Sequence, residues 1–144
     1  MLIKKLMTQP IVTVEFDDTL KVLKEIFENV KFHHLLVVED KKLYGVISDR
    51  DLLKATSPFV GTANEKVRDK LTLNRKAHQI MTRKPITLTA DANVYDAIAI
   101  FNEHSISCIP IVNEHFEPVG IVSWRDILRV IGQNHEKKVN KTHT

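Results

Sequence analysis

The sequence predicts an α+β fold with mixed strand and helix order, built from two copies of one strand–helix–strand–strand–helix unit. Three observations predict it. The first is an internal repeat. Met7-Thr8-Gln9-Pro10 recurs 74 residues later as Met81-Thr82-Arg83-Lys84-Pro85, and the same offset matches Thr13 with Thr87, Asp17 with Asp91, Phe27 with Phe101 and Val38 with Val112. The second is a block near the end of each copy: Gly45-Val46-Ile47-Ser48-Asp49-Arg50-Asp51-Leu52-Leu53 matches Gly120-Ile121-Val122-Ser123-Trp124-Arg125-Asp126-Ile127-Leu128 after one extra residue. The third is that the hydrophobic periods inside the two copies agree in order.

Each element follows from local pattern. Val12-Thr13-Val14 is short and β-branched, which suits a strand. Asp17 is placed to cap a helix whose apolar positions Leu20, Leu23, Phe27 and Val30 fall at helical spacing. Leu35 to Val38 reads as a buried strand, the polar run Glu39 to Lys42 as a turn, and Leu43 to Ile47 as a second strand. Ser48 then opens a helix through Leu53. The second copy repeats this with a strand at Ile86 to Leu88 and an Asp91-capped stripe of Val94, Ala97, Ile98 and Phe101. Strands follow at Ile109 to Val112 and Pro118 to Val122, then a helix from Ser123 to Ile131. The predicted organisation is a first copy at residues 1–54, a basic and partly helical connector at 55–75, a second copy at 76–132 and a loose polar tail at 133–144. A unit of about 50 residues buries too little surface to stand alone comfortably, so the two copies are expected to share a core.

Composition narrows the class. Hydrophobic residues make up 43% and charged residues 27%, an ordinary globular balance. The longest apolar runs, such as Ala97 to Phe101, are far shorter than the roughly 18 residues a spanning helix needs, and the N-terminal residues lack a secretion signal's apolar core. Cys108 is the sole cysteine and has no internal disulfide partner. These features point to a soluble cytoplasmic protein in a reducing compartment, with no membrane partner. The net charge of +3 is uneven: residues 54–84 carry eight Lys or Arg against Glu65 and Asp69. A basic stretch of this kind meets phosphates or is simply solvated.

The paired Gly-apolar-apolar-Ser-x-Arg-Asp blocks, the Met-Thr before each first strand and the Pro-Ile-Val strand at Ile109 to Val112 resemble the CBS domain. The resemblance covers roughly residues 1–54 and 76–132. It implies a Bateman module of the small stand-alone type, with two motifs packed by their sheets around a pseudo-two-fold axis and clefts that take adenosine compounds. It implies candidate ligands AMP, ADP, ATP or S-adenosylmethionine, no required cofactor, pairing of modules into a homodimer, and a separate protein target that reads the bound state. On this basis Asp51 and Asp126 sit at the ribose position, with Ser48 and Ser123 alongside. An ionised carboxylate accepts well from a cis-diol. Arg50 and Arg125 are candidate phosphate donors. Val12, Ile86, Ile109 and Pro110 are candidates for the base, Thr13 and Thr87 for its edge or a phosphate, and His34 and Cys108 for the cleft lining.

Ser48-x-x-Asp51 and Ser123-x-x-Asp126 have the form of helix capping boxes, which explains all four residues without a ligand. The copies also differ: Pro110 stands where the first copy has Leu36, and Trp124 replaces Asp49. His33 and His34 are neighbours on a strand and point to opposite faces, so they do not chelate one ion, and no four-ligand set has a familiar spacing. No Gly-rich phosphate loop or nucleophile elbow is present, so the sequence is not read as an enzyme. The rival classes are a ligand-free dimerising scaffold and, from the basic middle, a nucleic-acid-binding accessory protein.

Overall fold

The computed structural model describes residues 1–142. The fold is mixed α and β, as the two periodicities predict. The chain forms two compact units: Val12–Pro85, and Met1–Ile11 together with the chain from Ile86 onward.

In the Val12–Pro85 unit, β1 (Thr13–Val14) leads to α1 (Leu20–Asn29), then to the hairpin β2 (His34–Glu39) and β3 (Lys42–Ser48), and then to α2 (Asp49–Ala55). A short α3 (Val67–Leu71), α4 (Ala77–Ile80) and β4 (Thr82–Arg83) complete it. The sheet order is β1-β2-β3-β4, with β1 parallel to β2 and the other pairs antiparallel. Leu20, Leu23, Leu35 and Ile47 are fully buried at its centre. Each such side chain contributes about 1.5–3 kcal/mol by leaving water. The tight turn of the hairpin puts Asp40 and Lys41 at φ of 50° and 67°, the left-handed pair that a two-residue turn with the strands' twist requires.

In the second unit, α5 (Val94–Glu103), the antiparallel hairpin β5 (Cys108–Val112) and β6 (Pro118–Ser123), and α6 (Trp124–Thr142) repeat the order. The expected strand at Ile86 to Leu88 is reduced to one parallel bridge between Leu88 and Ile111. The extra residue in the second copy lies in its hairpin loop: Val38 pairs with Leu43, but Val112 pairs with Pro118. Asn113 organises that longer loop, its Oδ1 accepting from the N–H groups of His115 and Glu117 at 2.9 Å each.

Two helix starts differ from expectation. Asp17 does not cap α1. The N-cap is Thr19, and the N–H of Leu20 donates to the carbonyl of Arg75 at 2.9 Å, so a distant backbone group does the capping. Asp17 pairs with Lys76 at 3.3 Å instead. Asp91 does not cap α5 either. Asn93 does, accepting from Tyr95 N–H, while Asp96 accepts from Asn93 N–H. The tail also differs: α6 runs through Gly132 as far as Thr142.

The Met-Thr segments have a structural role that the repeat alone did not disclose. Met81 closes over Gly45 within the first unit, where an added Cβ would lie 2.5 Å from Met81 Sδ. In the second unit Met7 closes over Gly120, where an added Cβ would lie 2.6 Å from Met7 Sδ. Each segment also pairs with the strand it covers, Thr82 with Val46 in β4–β3 and Thr8 with Ile121 as a single bridge. The start of the chain therefore packs with the second copy: Ile3 is fully buried there, and its N–H donates to Ala92 at 2.8 Å.

Candidate functional site

The first copy places its candidate residues at the end of the β2–β3 hairpin. His34 pairs with Ser48 in the antiparallel register, and Thr13 stands beside Leu36 on the adjoining strand. Strand β3 ends at Ser48 because the chain turns there into α2. The Ser48 Oγ accepts from Asp51 N–H at 3.1 Å, and Asp51 Oδ2 accepts from Ser48 N–H at 2.8 Å. The predicted capping box is present and fixes the orientation of the Asp51 carboxylate. Asp51 is half-buried, whereas Arg50 and Thr13 are exposed and Val12 packs against the core.

The second copy repeats the arrangement with different occupancy. Cys108 pairs with Ser123, Ile109 with Val122 and Pro110 with Ile121. Ile109 belongs to the core of this unit and is fully buried. Alternation along the strand sends Pro110 to the opposite face, where it too is buried. Ile86 and Thr87 are half-buried on the segment leading to the Leu88 bridge. Asp126 is only 7% exposed. Its Oδ2 accepts from Ser123 N–H at 2.8 Å and from Ser123 Oγ at 3.0 Å, and its Oδ1 accepts from Arg129 Nη2 at 2.9 Å.

Arg129 was not singled out in the sequence, although Asp126-x-x-Arg129 is the i, i+3 spacing that brings two side chains together on a helix. The equivalent position in the first copy is Lys54, and no ion pair ties it to Asp51. The two acids are thus chemically unlike: Asp126 has both oxygens engaged, while Asp51 uses Oδ2 for its cap. Trp124 opens α6, 47% exposed, with the Arg125 guanidinium 5.8 Å from its ring centroid.

The two histidines also separate in role. His33 Nδ1 lies 2.9 Å from Asp49 Oδ2 on the exposed side. Burial pushes the His34 imidazole below its ordinary value; Asp49 and Asp51 oppose the shift and His33 adds to it. The unfolded chain then holds the proton more tightly than the folded one. Stability from this group is complete above the ordinary value of about 6.5 and falls as pH drops below it. Thermal unfolding followed from about pH 7.5 to about pH 5.5 should show a larger loss in the wild type than in His34→Gln. Parallel curves would remove His34 as the cause.

Among the described residues, no helix is long and apolar enough to cross a membrane. No group of three or more His, Cys, Asp or Glu among them is arranged to hold a metal ion.

The family model for the CBS domain matches residues 3–57 and again residues 77–133. A CBS domain-containing protein of Dictyostelium discoideum is 33% identical over 132 residues, covering 90% of each chain. An L-aspartate semialdehyde sulfurtransferase of Methanocaldococcus jannaschii is 31% identical over 91% of this chain, which spans 23% of that enzyme. Among solved structures, the CBS domain pair of protein MJ0100, in complex with 5-methylthioadenosine and S-adenosyl-L-methionine, superposes with a TM-score of 0.75 at 28% identity, covering 93% of this chain and 98% of that one. With two matched copies, each ending in the same capped acid, the chain belongs to the CBS domain family.

Proposed function

We propose that this chain is a ligand-sensing regulatory module that binds an adenosine-containing molecule and carries no catalytic step of its own. The observation that carries the reading is the Asp51 carboxylate, held by its capping box at the end of the β2–β3 hairpin with one oxygen committed to the cap. That acid is suited to accept from the two hydroxyls of a ribose. Asp126 has the same place in its copy, but Arg129 already occupies its second oxygen. The ribose contact is therefore assigned first to Asp51, with Thr13, His34 and Arg50 around it. Ser123, Arg125, Ile86 and Thr87 form the weaker counterpart. The ligands of the 28%-identical CBS pair share an adenosyl group, which supports this class over others. On this reading the module acts in the cytoplasm, and a separate protein target responds to the bound state through its different affinity for two arrangements of the module.

The test is thermal unfolding with AMP, ADP, ATP, 5-methylthioadenosine and S-adenosylmethionine. A ligand at 100 times its dissociation constant adds about 2.7 kcal/mol to the folded state. A rise of several degrees with one of them is the expected result. No rise with any at millimolar concentration would overturn the adenosine reading.

A second reading, self-association as the main role, is favoured by one observation. Trp124, Leu128 and Ile131 form an apolar stripe at helical spacing on α6, 47%, 59% and 50% exposed. Sedimentation equilibrium of the ligand-free protein decides whether copies pair.

A further inference from the structure

The connector inverts the usual burial pattern. Within α3 the charged Asp69 faces inward, only 7% exposed, while Val67 and Leu71 face outward at 76% and 56%. Asp69 is held there by bonds: its Oδ1 accepts from Ser57 Oγ at 2.7 Å and its Oδ2 from Lys66 N–H at 2.8 Å. Phe59, 47% exposed, belongs to the same segment.

At about 100° per residue, Val67 and Leu71 form one ridge, with Lys70 on one flank and Arg68 on the other, and Asp69 lies opposite. Lys66, Arg68 and Lys70 are all exposed. The nearby acid Glu65 is bonded to Gly61 N–H and paired with Lys70 at 3.3 Å. The outer face therefore combines protruding apolar groups with cations, on a backbone that Asp69 fixes in advance. The CBS family matches end at residue 57 and resume at 77, so residues 58–76 owe this character to something other than the family pattern.

We propose that this face of the connector is a docking surface for an anionic lipid bilayer, touched peripherally and not crossed. Apolar side chains that protrude from a single helical turn suit the headgroup boundary, which needs no shaped counterpart, and flanking cations complement anionic headgroups. A protein partner would need roughly 800 Å² on this side, far more than one turn offers.

The test is co-sedimentation of the full chain with vesicles of phosphatidylcholine alone and of phosphatidylcholine with phosphatidylglycerol. Binding is expected only to the anionic vesicles and should weaken with salt. Val67→Ser with Leu71→Ser should lower the partition about tenfold, and Lys66→Gln with Arg68→Gln should lower it independently. Because all four side chains are exposed, the thermal midpoint and any nucleotide response should stay as in the wild type. No binding to anionic vesicles would overturn the proposal. So would binding that is indifferent to the Val67 and Leu71 changes. Tight binding of duplex DNA or polyglutamate without vesicle binding would reassign the face to a soluble polyanion.

Discussion

Asp51→Ala is expected to weaken adenosyl-ligand binding by about 10- to 100-fold, the loss from one charge-assisted hydrogen bond of about 1.5–3 kcal/mol. The same change removes half of the α2 capping box, which costs about 1 kcal/mol and lowers the ligand-free midpoint by a few degrees. Asp126→Ala should show the opposite balance. It strips partners from Ser123 and Arg129, so stability falls more and affinity less. Calorimetric titration beside thermal unfolding separates the two effects. Unchanged affinity in both single variants and in the double variant would sink the ribose assignment, while leaving the family membership intact.

Gly45→Ala is expected to destabilise the protein by about 1–3 kcal/mol, the usual cost of forcing a methyl group into a filled space. The added Cβ would lie 2.5 Å from Met81 Sδ and 3.0 Å from Met81 Cβ, so rotating the end of the methionine does not relieve the clash. Gly120→Ala should cost less, because Met7 Cβ stands back at 3.3 Å. Urea unfolding measures both. Coupling provides the check: Met81→Ala in the Gly45→Ala background should recover part of the loss, since the two positions share one contact. Additive behaviour would mean that the strain lies elsewhere.

What the sequence disclosed, and what it hid, divides along physical lines. Both hairpins and both capping boxes rest on neighbours close in sequence, and they were legible from β-branched runs and from Ser-x-x-Asp. The starts of α1 and α5 were not. The first depends on the Arg75 carbonyl, far along the chain, and the second on Asn93 outcompeting the nearby Asp91. Strand β4 is two residues long and has no period to read; Met81-Thr82 announced itself only as a repeat marker. Polarity after Gly132 suggested a loose tail. Yet a single helical glycine costs only about 1 kcal/mol, and the residues that follow include the good helix formers Glu136, Lys137 and Lys138. At the site, the two acids were found but their difference was not, because it is made by Arg129 one helical turn further on.

The placement of the two Met-Thr segments bears on the order in which the protein can be made. Val12–Pro85 is one unbroken stretch, and every strand of its sheet has been translated by the time Pro85 emerges from the ribosome. The other unit joins residues 1–11 to a stretch that begins at Ile86. Ile3 and Met7 leave the ribosome ahead of the Val12–Pro85 unit, but Ala92, Gly120 and Ile121 emerge only after it. The leading segment must therefore wait, with its apolar side chains unpartnered, while the middle of the protein folds behind it. A nascent chain arrested once Pro85 has emerged from the ribosome should accordingly be cut by protease before residue 12 and protected from there to Pro85.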